Sequence, residues 1–229
     1  MIFHIFFDLD HTLWDFERNS NETLSELFDS YQLYNYTNIS RHDFLAVFQQ
    51  TNAQLWNDFN AGKITQAELR TRRFPMVFEN CGILLDKVDD FGETYLKICP
   101  TKSHLIPGTM EVLGYLNSKN YPLSIITNGF PDTQYIKMKS GGISHFFEHV
   151  FTSENTGFKK PDKRMFEVAL AKTKVLAQNS MMIGDTLEAD IKGAQNAGMK
   201  TVFLNIHEEL HTHSPDFEIK KLHELKAIL

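Results

Sequence analysis

Cysteine is nearly missing from this chain, and so small a supply excludes a disulfide framework. Only Cys81 and Cys99 occur among 229 residues, both in helix-like sequence, and they are expected to be reduced, partly buried thiols. An excess of positive charge is also lacking: 23 Lys and Arg face 29 Asp and Glu, a formal net charge of −6. That balance offers no basic face to a nucleic acid polymer, so an anionic partner has to be met by local positive charge. Long apolar runs are missing too, since none approaches the roughly 20 residues a bilayer-spanning helix needs. The apolar stretch Ile2 to Phe7 has no basic flank and runs straight into acids, which marks a buried strand rather than a signal peptide. A cytoplasmic protein with no membrane partner is the expectation, its monomeric or dimeric state left open. Internal repeats and low-complexity tracts do not occur.

What is present divides by rhythm. Ile2 to Asp8 is a near-continuous apolar run of strand length that ends on a carboxylate. From about Phe16 to Ile98 the spacing is helical, with Ser40/Asp43 and Thr65/Glu68 as helix-opening pairs and Gly62 and Gly82 as breaks. Beyond Pro107 and Gly108, short β-branched or apolar runs (Leu123–Thr127, Val150–Thr152, Ser180–Gly184, Thr201–Leu204) alternate with helical stretches. Those stretches run Met110–Lys119, Asp132–Lys139, Lys163–Lys174 and Glu188–Ala197. Such alternation predicts an α/β core with a parallel sheet and helices on both faces. The predicted organisation is a discontinuous core, residues 1–15 and 99–229, with an all-helical domain, residues 16–98, inserted after the first strand.

Ligands of open parallel sheets bind beyond the carboxyl ends of the strands. The first strand delivers Asp8, Asp10 and Thr12 there, and the second Thr127, Asn128 and Gly129. Lys160 and Pro161 follow the third, and the fourth delivers Gly184 and Asp185, with Asp190 slightly later. Two carboxylates about 4 Å apart repel by about 4 kcal/mol at an effective dielectric of about 20. Asp8, Asp10 and Asp185 together therefore call for a divalent cation or for protonation. Oxygen-only donors favour a hard ion, and Mg²⁺ suits a site that also holds phosphate. Lys160 and the Thr127 hydroxyl supply charge and hydrogen bonds for phosphate oxygens. These are the parts that phosphoryl transfer requires.

Asp8-Leu-Asp-His-Thr12, Thr127 after Ile125-Ile126, Lys160 before Pro161, and Gly184-Asp185 through Asp190 together resemble the motifs of the haloacid dehalogenase superfamily over essentially the whole chain. The resemblance implies a three-layer α/β/α Rossmann-like core with a helical cap that closes over the active site. It implies Mg²⁺-dependent hydrolysis of a small phosphate monoester through an aspartyl-phosphate. Asp8 would be the nucleophile, and Asp10 would protonate the leaving alkoxide and then activate water. Mg²⁺ would be held by the carboxylates of Asp8 and Asp185 and the backbone carbonyl of Asp10. Thr127, Asn128 and Lys160 would bind phosphate, and Asp190 would orient Lys160 or a metal-bound water. True dehalogenases of the superfamily lack the second aspartate, so Asp10 argues against carbon–halogen cleavage.

Leu55-Trp56-Asn57-Asp58-Phe59-Asn60-Ala61-Gly62-Lys63-Ile64-Thr65, Arg72-Arg73-Phe74 and Ile126-Thr127-Asn128-Gly129-Phe130 are similar to the bacterial pyrimidine 5′-nucleotidases of that superfamily. This implies nucleoside monophosphates as substrates; a sugar-phosphate or other metabolite phosphatase and a phosphomutase are the alternatives, and a non-catalytic binder has no use for Asp8 and Asp10 together. His11 and Trp14 depart from the nucleotidase pattern. Trp56, Arg73 and Phe130 are the candidate contacts to the nucleoside, although aromatic residues at helical spacing more often fill a core. Trp14 and Phe16 either line an entrance or pack a hinge. Within Lys159, Lys160, Lys163 and Arg164, Lys160 alone fits the phosphate position. His207, His211 and His213 lie in polar sequence beyond the last core strand and read as a surface loop rather than a zinc site.

Overall fold

A computed structural model describes residues 1–84 and 90–229; residues 85–89 of the expected 16–98 insertion lie outside the described residues. The chain forms two compact units, Met1–Phe16 with Ser103–Leu229, and Glu17–Lys102. The strands are β1 (His4–Phe7), β2 (Leu123–Thr127), β3 (His149–Thr152), β4 (Ser180–Gly184), β5 (Lys200–Leu204) and β6 (Phe217–Ile219). The α-helices are α1 (Phe16–Ser30), α2 (Arg41–Asn60), α3 (Gln66–Cys81), α4 (Phe91–Ile98) and α5 (Thr109–Ser118). They continue with α6 (Pro131–Ser140), α7 (Ser153–Thr156), α8 (Lys163–Thr173) and α9 (Gly193–Asn196). None among the described residues is long and apolar enough to cross a membrane.

The first unit is one parallel sheet in the order β3-β2-β1-β4-β5-β6. The central strands β1, β2 and β4 are buried throughout, as a parallel sheet covered on both faces requires. Register sets Phe6 opposite Met182 and Ile126 opposite Phe151. These four side chains form one core with Met165, Phe166 and Ala169 of α8 and Ala194 of α9. This is the expected α/β Rossmann-like core. Its parallel strands bring the residues that follow β1, β2 and β4 to a single edge.

Two local features differ from the sequence reading. The stretch expected as one helix over Glu188–Ala197 is a π-helical turn, Leu187–Lys192, followed by the short α9. The wider turn arises where Asp190 N and Ile191 N both donate to Thr186 O, at 2.9 and 3.3 Å, and such turns concentrate at functional sites. It seats Asp190 against Gly184, where a Cβ would lie 2.3 Å from Asp190 Oδ2. The edge strand β6 is three residues long, too short to show in an alternation pattern.

The second unit holds α1 from Glu17 onward, α2, α3 and α4. Thr65 and Glu68 form a full capping box, whereas at Ser40 only the hydroxyl caps, accepting from Asp43 N. Gly62 and Gly82 adopt φ of 74° and 67° at the ends of α2 and α3, a conformation glycine enters without steric cost. The unit's core is aromatic: Phe74 lies 5.0 Å from Phe91, 5.1 Å from Tyr95 and 5.7 Å from Phe48 between ring centroids.

In the sheet unit, His4 is buried, bonds Ser124 Oγ through Nε2 at 2.9 Å and stacks on Phe6. Burial, helped by His149, lowers its pKa to about 4. The unfolded chain then takes up a proton below about pH 6.5 while the folded protein does not. This contribution to stability is complete above that pH and is lost as pH falls toward about 4. Urea titrations of wild type and His4→Asn across this window are expected to show a steeper acid-side loss in wild type.

Candidate active site

The turn after β1 is drawn tight by its own backbone. Leu13 N and Trp14 N both donate to Leu9 O at 2.9 and 2.8 Å, and His11 N donates to Trp14 O at 2.9 Å with His11 at φ 62°. Asp8 N donates to Ile183 O at 2.9 Å, tying the tip of β1 to β4. Asp8, Asp10 and Thr12 are thereby held on one short turn.

Lys160 sits at the centre, only 3 % exposed. Its ammonium donates to Asp8 Oδ1 at 2.7 Å, to Asp190 Oδ1 at 2.6 Å and to Ile126 O at 2.9 Å, which uses all three of its hydrogens. Its backbone is anchored by Asn128, whose amide donates to Lys160 O at 3.0 Å and accepts from Lys160 N at 2.8 Å. Asp190 also accepts from Thr186 N at 3.0 Å. Asp185 is half-buried and accepts from the Thr12 hydroxyl at 2.8 Å.

Asp8, Asp185 and Asp190 each place a carboxylate oxygen within 4.8 Å of the others. Burial raises the pKa of Asp8 to about 6, with Lys160 opposing and Asp190 and Asp10 adding to the rise. Asp185 is raised to about 6 by burial and then by Asp8, and burial also raises Asp190 against the pull of Lys160. For Lys160, burial acts to lower the pKa, yet Asp190 and Asp8 prevail and hold it above its ordinary value. One buried ammonium thus faces three acids. The donors are all oxygen, as a hard divalent cation prefers. Asp190 is committed on both oxygens to Lys160 and Thr186, whereas Asp8 and Asp185 each keep one oxygen without a protein hydrogen bond among the described residues.

The carboxylate of Asp10 stands outside this trio. Lys137 Nζ donates to both its oxygens, at 2.7 and 2.9 Å, and Gln134 Nε2 donates to Oδ2 at 3.0 Å. The same amide donates to Thr127 Oγ1 at 2.8 Å, and the Thr127 hydroxyl also accepts from Gly129 N at 3.1 Å. Neither Gln134 nor Lys137 was read as a site residue. The available signal was their spacing of three on α6, which sets both on one helix face. That face lies directly after the Thr127 turn.

Phe130 is buried at the start of α6. Phe74 belongs to the aromatic core, Trp56 is half-buried edge-on to Phe59 at 5.6 Å, and Arg72 pairs with Glu68 on an exposed face. Arg73 is 6 % exposed, its Nε has no hydrogen-bond partner among the described residues, and burial lowers its pKa. Trp14 is fully buried. Lys163 and Arg164 pair locally with Glu167 and Asp162. His211 pairs with Glu218, and the acidic trio is the one group suited to a metal found among the described residues.

A family model described as haloacid dehalogenase-like hydrolase matches residues 5–204. The chain belongs to the haloacid dehalogenase-like hydrolases. This hydrolase is 33 % identical over 228 residues to the HAD-hydrolase YfnB of Bacillus subtilis (strain 168), covering 98 % of this chain and 94 % of that protein. It is 33 % identical over 229 residues to the pyrimidine 5′-nucleotidase YjjG of Escherichia coli (strain K12), covering 98 % and 96 %. A glyceraldehyde 3-phosphate phosphatase of Pyrococcus abyssi (strain GE5 / Orsay) is 33 % identical over 210 residues, covering 89 % and 81 %. The crystal structure of YfnB bound to magnesium matches with a TM-score of 0.87 at 32 % identity, covering 100 % of this chain and 99 % of that one.

Removing one partner of a buried ion pair leaves charge uncompensated, at about 3–5 kcal/mol. Lys160→Met is therefore expected to lower unfolding free energy by about that amount near pH 7, measured by urea denaturation. The loss should shrink as pH falls below about 6, where Asp8 takes up a proton.

Proposed function

We propose that this hydrolase cleaves phosphate monoesters through an aspartyl-phosphate, with nucleoside 5′-monophosphates as its substrates. The observation that carries the reading is the separation of two acids on one turn: Asp8 inside the acidic trio, Asp10 outside it and held by Lys137 and Gln134. A nucleophile and a proton carrier need such different surroundings.

Asp8 and Asp185 would hold Mg²⁺, with the backbone carbonyl of Asp10, and the ion would supply charge neutralisation for the phosphoryl oxygens. In the first step a carboxylate oxygen of Asp8 forms a bond to phosphorus while the ester P–O bond breaks, and Asp10 gives its proton to the departing oxygen. In the second, water attacks phosphorus and gives a proton to Asp10, and Asp8 leaves with its electron pair as inorganic phosphate is released. Thr127 and the backbone N–H groups after β2 orient phosphoryl oxygens. Lys160 keeps Asp8 aligned and contributes fixed positive charge, since its hydrogens already go to Asp8, Asp190 and Ile126.

The identity to YjjG over almost the whole chain supports a nucleotide as substrate. The similar identity to a glyceraldehyde 3-phosphate phosphatase supports a second reading with the same chemistry on a sugar phosphate. A panel of deoxyribonucleotides, ribonucleotides and sugar phosphates ranked by kcat/KM decides between them, and higher values for sugar phosphates would overturn the nucleotidase reading.

Asp8→Asn should abolish turnover in a protein that remains folded, since Asp190 still pairs with Lys160; retained phosphatase activity would remove Asp8 from its assigned role. Chelation should silence the enzyme and Mg²⁺ restore it. Because Asp8 and Asp185 lie at about 6, added Mg²⁺ should raise Tm more at about pH 7.5 than at about pH 5, where bound protons compete with the ion.

A further inference from the structure

Lys137 is a buried cation that the four strand-end motifs do not include. It is 7 % exposed. Its ammonium lies 4.7 Å from the ring centroid of Trp14 and 5.6 Å from that of Phe16. Those aromatic faces attract the charge but accept no strong hydrogen bond. Among the described residues its ion-pair partner is Asp10, gripped on both oxygens. A carboxylate held by one hydrogen bond still turns about its last torsion; one held on both oxygens by a single ammonium, and again on Oδ2 by Gln134, has its plane fixed. Gln134 adds a second constraint, because one amide nitrogen bridges Asp10 and Thr127. Room for that amide comes from Gly129, where a Cβ would lie 2.1 Å from Gln134 Nε2. Gln134 Oε1 is buried without a hydrogen-bond partner among the described residues, so the two bonds of its nitrogen are what hold this amide in place.

We propose that Lys137, assisted by Gln134, is a positioning residue that fixes the Asp10 carboxylate relative to Thr127, so that its proton meets the ester oxygen leaving the phosphoryl group. The proposal rests on the phosphatase reading and assigns a residue outside its four motifs. It has a chemical signature. A leaving group that departs readily as an anion, such as p-nitrophenolate, gains little from protonation, whereas a sugar alkoxide gains much. Misplacing the acid therefore penalises the two esters unequally, and a purely structural defect lowers both alike.

The experiment measures kcat and KM for p-nitrophenyl phosphate and a nucleoside 5′-monophosphate in wild type, Lys137→Met, Lys137→Arg, Gln134→Met and Asp10→Asn. Lys137→Met is expected to lower kcat/KM on the nucleotide by about 10- to 100-fold, the scale of a misplaced catalytic group, with a much smaller loss on the aryl ester; kcat/KM runs only to leaving-group departure, before the aspartyl-phosphate hydrolysis that both esters share. Lys137→Arg, which keeps a bidentate cation, should recover most of that loss. Gln134→Met should repeat the pattern more weakly, and it carries the test if Lys137→Met does not fold. Equal losses of kcat/KM on both esters in the folded variants, or none, overturn the positioning role while Asp10→Asn still shows the unequal pattern. If Asp10→Asn itself lacks that pattern, the assignment of Asp10 as proton donor fails, and the positioning proposal with it.

Discussion

The sheet unit is organised around one buried ammonium. Lys160 Nζ bonds the tip of β1 through Asp8, the backbone of β2 through Ile126 O, and the π-turn after β4 through Asp190. These three strands are neighbours in the sheet, so a single nitrogen joins the carboxyl ends of all of them. Taking such a charge from water costs several kcal/mol, offset only where its hydrogens are all used and opposite charge is close. Both conditions are met. The arrangement leaves acids in excess of the cation, and that excess is what a hard divalent ion would neutralise.

A second cation serves the remaining acid. Had Lys160 been shared by Asp8 and Asp10, any change of charge on one would have been felt strongly by the other through a common partner. Lys137 instead faces Asp10 from α6, so the two acids of the β1 turn answer to different ammonium groups, one on α6 and one in the turn before α8. Gly129 and Gly184 make this possible by what they omit. Each stands where a Cβ would collide with a working side chain, Gln134 in one case and Asp190 in the other.

How much of this was legible in the sequence follows from what each residue had to satisfy. Asp8, Thr127 and Asp185 could be found because parallel strands present their carboxyl ends at one edge, so reading the residues just past each apolar run amounts to reading the site. Lys160 was legible by its place before Pro161. Lys137 was not, since a lysine on a helix three residues from a glutamine matches any solvated helix face, and only the tertiary fold shows that Trp14 and Phe16 cover it. The π-turn escaped for a related reason: it seats Asp190 for a bond to Lys160, a contact made 30 positions away in the chain. Asp190 takes its place in the acidic trio through that contact, whereas the carboxylate of Asp10, on the same turn as Asp8, is drawn off toward α6.

Selectivity resists the same reading because it and the chemistry place different demands on sequence. Phosphoryl transfer requires particular functional groups at particular distances, so few residue types can serve and their pattern stands out. Choosing among alcohols esterified to the same phosphate requires only shape and a few polar contacts, which many residue types supply. Phe74 illustrates the difficulty: it closes the Arg72-Arg73-Phe74 stretch that resembles the nucleotidases, yet its ring is one of several that pack the aromatic core. Relatives named for a nucleotide and for a triose phosphate are equally identical to this chain at 33 %. A phosphoryl group is common to the two named substrates, so residues that serve that group alone do not tell the two alcohols apart.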